Sequence, residues 1–465
     1  MKIQLCLLSI ALIAFLVPQA LGQPRSPLGE ACSPAPCVLH PMLASENTGI
    51  NIFAPAAANP IDPRQLIVGS LDTNCGRSTL VGFHVSNDAG ATWSTTCLTT
   101  FSEFGKTWTP GDLPLAGYDL KGTAYIAGFY EDTETFTYAL MGIETSTDGI
   151  AWSTPTAAVG DDTTQIGFAS LAVDRTTGSP YANSVYVLGM NFVGSGQVLV
   201  ARSRDSGKTW STTQVVAFPN TASEYYPSLT IGKDGTVYAS WMHCLIYQDS
   251  LCADDTDRMV LSKSSDGGVT WSQPKLVRTV HEVPNSCGCF PFGAIPNTTV
   301  GAPNTPALAA DDSSGPYSGR LYATMFEWTG TYMRVLVIHS SDGGNTWSKP
   351  VPVAPPSETH DQFFPWISVS PTGLVGVSWL DRRNDPANID YQAFAAISSD
   401  GGESFQPNVQ LTTQFSNPNS GEYEGELGDY AGNTWDGPNY FIAAWMDNSG
   451  NGVSMQDVVG GIRLH

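Results

Sequence analysis

Basic residues are scarce in this chain. Its 21 lysines and arginines stand against 43 aspartates and glutamates, for a formal net charge of −22. A field of that sign repels nucleic acid and anionic membranes, so neither is expected as a partner. An acidic ligand would need a local cluster of arginines to overcome it. Long apolar runs are equally few. Residues 5–17, LCLLSIALIAFLV, follow Lys2 and are too short to span a bilayer. With the small residues Ala20 and Gly22 of ALG they read as a signal peptide over 1–22, cleaved before Gln23. No second such run follows, so membrane insertion is not expected, and the mature chain is expected to be exported and soluble. Long segments of 3.6-residue period are missing too, which leaves an all-β chain. So are Cys-x-x-Cys pairs and histidines at ligand spacing, so no metal and no cofactor is expected.

Cysteine is present in a telling number. Once Cys6 leaves with the signal, eight of the nine remain, an even count in an oxidising compartment, which favours disulfides. Cys75 with Cys97 and Cys244 with Cys252 are the expected pairs, since each could staple one local hairpin. Cys287 and Cys289 are too close in sequence to pair comfortably with each other.

The chain also repeats itself. Ser86-x-Asp88-x-Gly90-x-x-Trp93 returns at Ser203…Trp210, Ser264…Trp271 and Ser340…Trp347, with a Phe405 version at Ser398 and a shortened version from Ser146 to Trp152. The aspartates are 60, 57, 61, 76 and 58 residues apart. A period near 60 is long for a helical solenoid and suits four short strands with three turns, which is a propeller blade. YYPSLTIGKDGTVYASWMH (225–243) and FFPWISVSPTGLVGVSWLD (363–381) each read as strand, glycine turn, strand. In the phrase itself, Asp can accept from the N–H groups of its own turn and Gly can take positive φ. That makes it a hairpin device, and its aspartates poor catalytic candidates.

Ser-x-Asp-x-Gly-x-x-Trp resembles the Asp-box, or bacterial neuraminidase repeat, and over residues 44–463 the chain resembles the sialidase-like β-propeller superfamily. The resemblance implies a propeller of four-stranded blades. Six blades carry the phrase, and 425–464 reads as three further strands that a strand from 37–54 could complete. Seven blades are therefore expected, with six as the alternative, and residues 23–465 forming one propeller domain.

In such a blade the inner strand starts on the face opposite the repeated turns. That upper face is expected to receive Tyr118 and Asp119, Glu224 and Tyr225, Asn304, Asp361 and Gln362, and Asp429 and Tyr430. Ends of second strands should add Arg77, His243, Arg258, Glu327, Asp381, Arg382, Arg383 and Asp447. Long connections at 101–117, 275–304 and 412–428 should rise on the same face, where binding sites gather. The resemblance implies a tyrosine nucleophile with a glutamate base, an aspartic acid/base and an arginine triad for a substrate carboxylate. Tyr430, Glu224 and Asp119 are the residues placed for the first three roles. Arg382, Arg383, Arg258 and Arg77 are placed for the clamp, since guanidinium binds carboxylate bidentately, with Asp361 and Tyr225 as further substrate contacts. The family's aromatic-Arg-Ile-Pro motif has no counterpart in this chain.

The expected function is that of a monomeric exoenzyme resembling an exo-α-sialidase, with a carbohydrate carrying an acidic terminal sugar as its partner. Two alternatives stand beside it. One is a lyase or hydrolase for uronic-acid polysaccharides, in which Tyr430 or His281 moves the proton. The other is a non-catalytic propeller that binds glycan or protein through its aromatic upper loops.

Overall fold

The computed structural model describes residues 32–465 apart from 46–48, 77–79, 195, 220, 246–251, 253–255, 286–292, 406, 421–426, 451 and 453. The segment expected to be a signal peptide, Arg77, and the Cys287 and Cys289 positions thus lie outside the described residues. Among those described there is no α-helix, only one three-residue 3-10 turn at Thr73–Cys75. No helix is long and apolar enough to cross a membrane.

Seven antiparallel sheets form seven blades. The inner strand of blade 1 is broken in two, Asn51–Ile52 and Ala56–Ala58, both paired with Leu66–Asp72. The other inner strands are Lys106–Tyr118, Ile166–Val173, Ala222–Ile231, Ala307–Ala310, Gln362–Val369 and Gly432–Asp436, in blades 2 to 7. Each inner strand packs on the next, and Gly432–Asp436 returns to Ala56–Ala58, so the ring is closed. Cys37–Leu43 pairs with Gln456–Arg463 as the outer strand of blade 7, so the first and last described strands share one sheet.

Second strands are the most deeply buried, as in Leu66–Asp72 and Val185–Asn191, where every residue is buried. These are near-continuous runs of branched and aromatic residues, as strands covered on both faces should be. Between blades lie the large buried side chains Trp108, Tyr125, Tyr186, Trp241, Tyr322 and Trp379, each contributing roughly 1.5–3 kcal/mol of burial.

The repeated phrase lies between third and fourth strands. In the copy at 340–347 the Ser340 hydroxyl accepts from Gly344 N–H (2.9 Å) and donates to Asp342 (2.8 Å). Asp342 accepts from Asn345 N–H, Thr346 N–H and the Thr346 hydroxyl at 3.0, 2.9 and 2.6 Å. The copies at Ser86, Ser203, Ser264 and Ser398 repeat this net. These carboxylates are spent on their own turns. They mark the lower face, and inner strands begin at the opposite, upper face.

One assignment is corrected by this layout. The expected loop at 101–117 is instead the hairpin Phe101–Glu103 with Lys106–Tyr118, whose long strand is the inner strand of blade 2. Tyr118 and Asp119 therefore end an inner strand and sit on the lower face. Two expected disulfides, Cys75–Cys97 and Cys244–Cys252, are present, with a third at Cys32–Cys37.

Candidate functional site

Four inner strands are irregular at the same height. Register breaks at Asp112/Leu115, Tyr225/Ser228 and Phe363/Trp366, and blade 1 has its gap at 53–55. Each break holds a bulky residue in the left-handed region: Leu113 (φ 52), Tyr226 (φ 50), Phe364 (φ 49) and Phe53 (φ 66). A proline follows at once, or after one residue in blade 1, and it cannot join the ladder. Such backbone costs on the order of 1–3 kcal/mol per residue and persists only where its surroundings hold it. All four residues turn toward the propeller axis.

There they frame a cavity of about 150 Å³, completed by Phe168, Pro303 and the segment 427–430. Gly428 is required in that wall, because a Cβ would lie 2.2 Å from the Phe53 backbone nitrogen. The Tyr430 ring meets Phe53 edge-on at 5.8 Å and Tyr226 at 6.2 Å. Its hydroxyl is buried and, among the described residues, makes no hydrogen bond. Burial first, then the charges of Asp429 and Asp112, hold that phenol well above its ordinary pKa. Both carboxylates line the same cavity, and Asp112 also accepts from Leu113 N–H at 2.6 Å. The site thus offers a protonated phenol as donor, two carboxylates as acceptors or bases, and aromatic walls. No basic side chain is among its described lining residues.

The other residues expected here are placed differently. Glu224, buried, pairs with His243 Nδ1 at 2.7 Å and not with Tyr430. Burial raises the carboxyl's pKa, while the bond to Glu224 raises that of His243. Tyr225 donates to Asp257, with Glu282 at 3.4 Å, beside the Cys244–Cys252 disulfide. Asp119 closes the turn after blade 2's inner strand, accepting from Lys121 N–H, Thr123 N–H and the Tyr125 hydroxyl at 2.9, 2.8 and 3.1 Å. Its place on the lower face separates it from Tyr430.

Three of the four arginines placed for the clamp are among the described residues. Arg382, fully buried, donates to Asp361 (3.2 Å) and to the Pro296 carbonyl (2.7 Å), and lies 5.4 Å over Phe363. Asp361 in turn accepts from Asn388 and from Met333 N–H. Arg383 is held by Asp381 at 2.5 Å and lies over Phe394 at 4.3 Å. Arg258, in the third strand of blade 4, is paired across to His243 and Thr279. None of the three lines the axial cavity.

Asp112 is the residue that sequence reasoning missed. Pro110, Gly111 and Pro114 around it read as loop punctuation. The available signal was the bulky-residue–proline step at the head of four strands, in IFAP, DLP, YYP and FFP.

No family model matches the chain, and no curated protein matches it. Among solved structures, a polysaccharide lyase described as an ulvan lyase of a new family is similar at TM-score 0.53 and 10% identity, over 90% of this chain and 94% of the lyase. An intramolecular trans-sialidase from Ruminococcus gnavus is similar at 0.49 and 12%, over 74% and 92%. An α-L-arabinofuranosidase from Fusarium graminearum is similar at 0.47 and 10%, over 90% and 97%. Sialidases and other glycan enzymes thus stand among the structural neighbours, and at these identities the shared property is the propeller.

Proposed function

We propose that the protein is an exported glycan-active enzyme that holds one terminal sugar in the axial cavity of the upper face. The observation that carries this reading is the buried, unpartnered Tyr430 hydroxyl among aromatic walls and beside two carboxylates. An unsatisfied buried hydroxyl costs about 1–3 kcal/mol, and a sugar oxygen would supply its partner. At about 150 Å³ the cavity is smaller than the roughly 300–1,000 Å³ of sites for drug-sized ligands, so it suits a single ring. The aromatic walls would take the faces of that ring. Export rests on the signal-peptide reading and on the three disulfides, which belong to oxidising compartments.

In this reading Asp112 and Asp429 divide the work of acid and base, as paired carboxylates do in glycoside cleavage. One protonates the leaving oxygen and the other takes a proton from water as it attacks the anomeric carbon. Tyr430 stays protonated and donates to the sugar. A sialidase-like route would instead make Tyr430 the nucleophile, with Asp429 or Asp112 rather than Glu224 receiving its proton. The two carboxylates and the lack of a described cation in the lining favour a neutral sugar over an acidic one.

The test is product analysis by mass spectrometry. Mature protein, Tyr430→Phe and Asp112→Asn would each be incubated with neutral glycans, sialosides and uronic-acid polysaccharides. We expect neutral monosaccharide from the wild type, a loss of about 10²-fold or more in either variant, and no loss of thermal stability in Tyr430→Phe, which removes the unsatisfied hydroxyl. Released sialic acid would support the sialidase-like route, and unsaturated uronides a lyase. No product from any glycan would overturn the enzymatic reading in favour of a binding propeller.

A further inference from the structure

Glu327 is held by two arginines at once. Arg278 Nη2 lies 2.5 Å from one of its carboxylate oxygens and Arg334 Nη2 2.9 Å from the other. Among the described residues no other carboxylate is shared by two arginines. Three strands bring the triad together at the upper end of the seam between blades 4 and 5. Glu327 stands near the end of the second strand of blade 5, Leu321–Trp328, and Arg334 is its partner at the start of the third, Met333–Ser340. Arg278 comes from the outer strand of blade 4, Lys275–His281.

One carboxylate does not satisfy this pair. Two guanidiniums and one carboxylate leave a surplus positive charge, in a chain whose total is −22. Glu327 is the one bonding partner of either arginine side chain among the described residues, and the Nε of each is buried without an acceptor. Two cations fixed side by side repel, and a second anion between them would reverse that. The arginine side chains are 25% and 31% exposed, against 16% for Glu327. A ligand can therefore reach the arginines, and the acid is the most covered of the three.

The triad is also tied to the axial cavity. Pro303 lines that cavity. Its neighbour Asn304, buried, donates to the Phe326 carbonyl (2.6 Å) and accepts from Phe326 N–H (3.3 Å), one residue before Glu327. Glu327 and Arg334 thus stand one and two strand spacings, about 5 and 10 Å, outside the inner strand. We propose that Arg278 and Arg334 bind one singly charged substituent, a sulfate ester or a carboxylate, on the glycan whose terminal sugar enters the axial cavity. This inference rests on the function proposed above and deepens it: a neutral end sugar is followed, one or two units on, by an acidic one. A guanidinium fork matches the paired oxygens of either group. One negative charge balances the triad, and a phosphate monoester dianion would overshoot it.

The experiment is a ligand-observed NMR titration of the mature protein with glucose 6-sulfate, glucuronate and glucose, which share one ring and differ in charge. Tyr430→Phe, titrated in parallel, separates this site from the axial one. We expect saturable binding of at least one acidic sugar, at least about tenfold tighter than glucose, and retained in Tyr430→Phe. Binding of the sulfate alone would point to sulfated glycans, and of glucuronate alone to uronic-acid glycans; either supports the site. Arg278→Gln and Arg334→Gln should each weaken it at least about fivefold, while Arg64→Gln, whose arginine is paired with Asp62 alone, should not. Glu327→Gln keeps the shape and removes the competing charge, so it should bind severalfold more tightly. That variant keeps the test open should the arginine variants fold poorly. The proposal is overturned if neither acidic sugar binds more tightly than glucose, if Tyr430→Phe abolishes the binding, or if Glu327→Gln weakens it. Arginine-dependent binding in a protein that releases no sugar from any glycan would support this site and count only against the enzymatic reading.

Discussion

Single side chains in this protein are most informative where a polar group is buried without a partner. Tyr430 is one such case, and Asp436 is another. Asp436 ends the inner strand of blade 7, is buried, and among the described residues has no hydrogen-bond partner at Oδ1. Burial, with the charge of Asp62 adding to it, pushes its carboxyl up to about 7, against an ordinary value of about 3.9. The folded pKa is the higher one, so the stabilising contribution is fully present below about pH 4 and is lost as pH rises through about 7. A three-unit shift corresponds to at most on the order of 4 kcal/mol. Thermal melts of the wild type from pH 4 to 8 should fall across that window, and Asp436→Asn should fall less. A variant whose melting temperature tracks the wild type at every pH would contradict this.

At the scale of the strand and turn, the repeated phrase and the inner-strand bulges behave oppositely. The phrase is self-contained: its Ser, Asp and second Gly bond one another and their neighbours inside the turn, so short sequence windows suffice to read it. Ser340→Ala leaves the buried Gly344 N–H without its acceptor. It should cost about 1–3 kcal/mol in urea unfolding and leave activity on the upper face unchanged. The bulges are legible only once the ring is closed. Pro110, Gly111 and Pro114 break the strand signal locally, so 101–117 reads as a loop. In the ring the same residues bend a thirteen-residue strand over the axis and turn Asp112 inward. The misplacement of Asp119 follows directly, since mistaking the inner strand for a loop moves its end to the wrong face. Tyr430 was legible because no such irregularity separates it from its strand, Gly432–Asp436. The arginine set is legible only in part: spacing can place Arg382 and Arg383 on the upper face, but it cannot show that Asp361 and Asp381 hold them.

At the scale of the molecule, stability rests on closing a ring of seven blades. Blade 7 is complete only with Cys37–Leu43, whose Leu39 is fully buried against Gln456–Arg463. Removing residues 23–43 would leave that C-terminal strand as a bare edge, a template for association. We expect this truncation to elute as oligomers in size-exclusion chromatography and to melt lower and more broadly than the mature chain. A monomeric truncation with an unchanged melt would show that the ring closes without the strand. Closure also brings the first described residue close to the last strand, with the Arg463 guanidinium donating to the Cys32 carbonyl at 3.2 Å. The closed ring itself does not depend on which blade comes first along the chain. A short bridge from residue 465 to residue 32, with new ends cut into an exposed turn between two other blades, would encode the same ring by circular permutation.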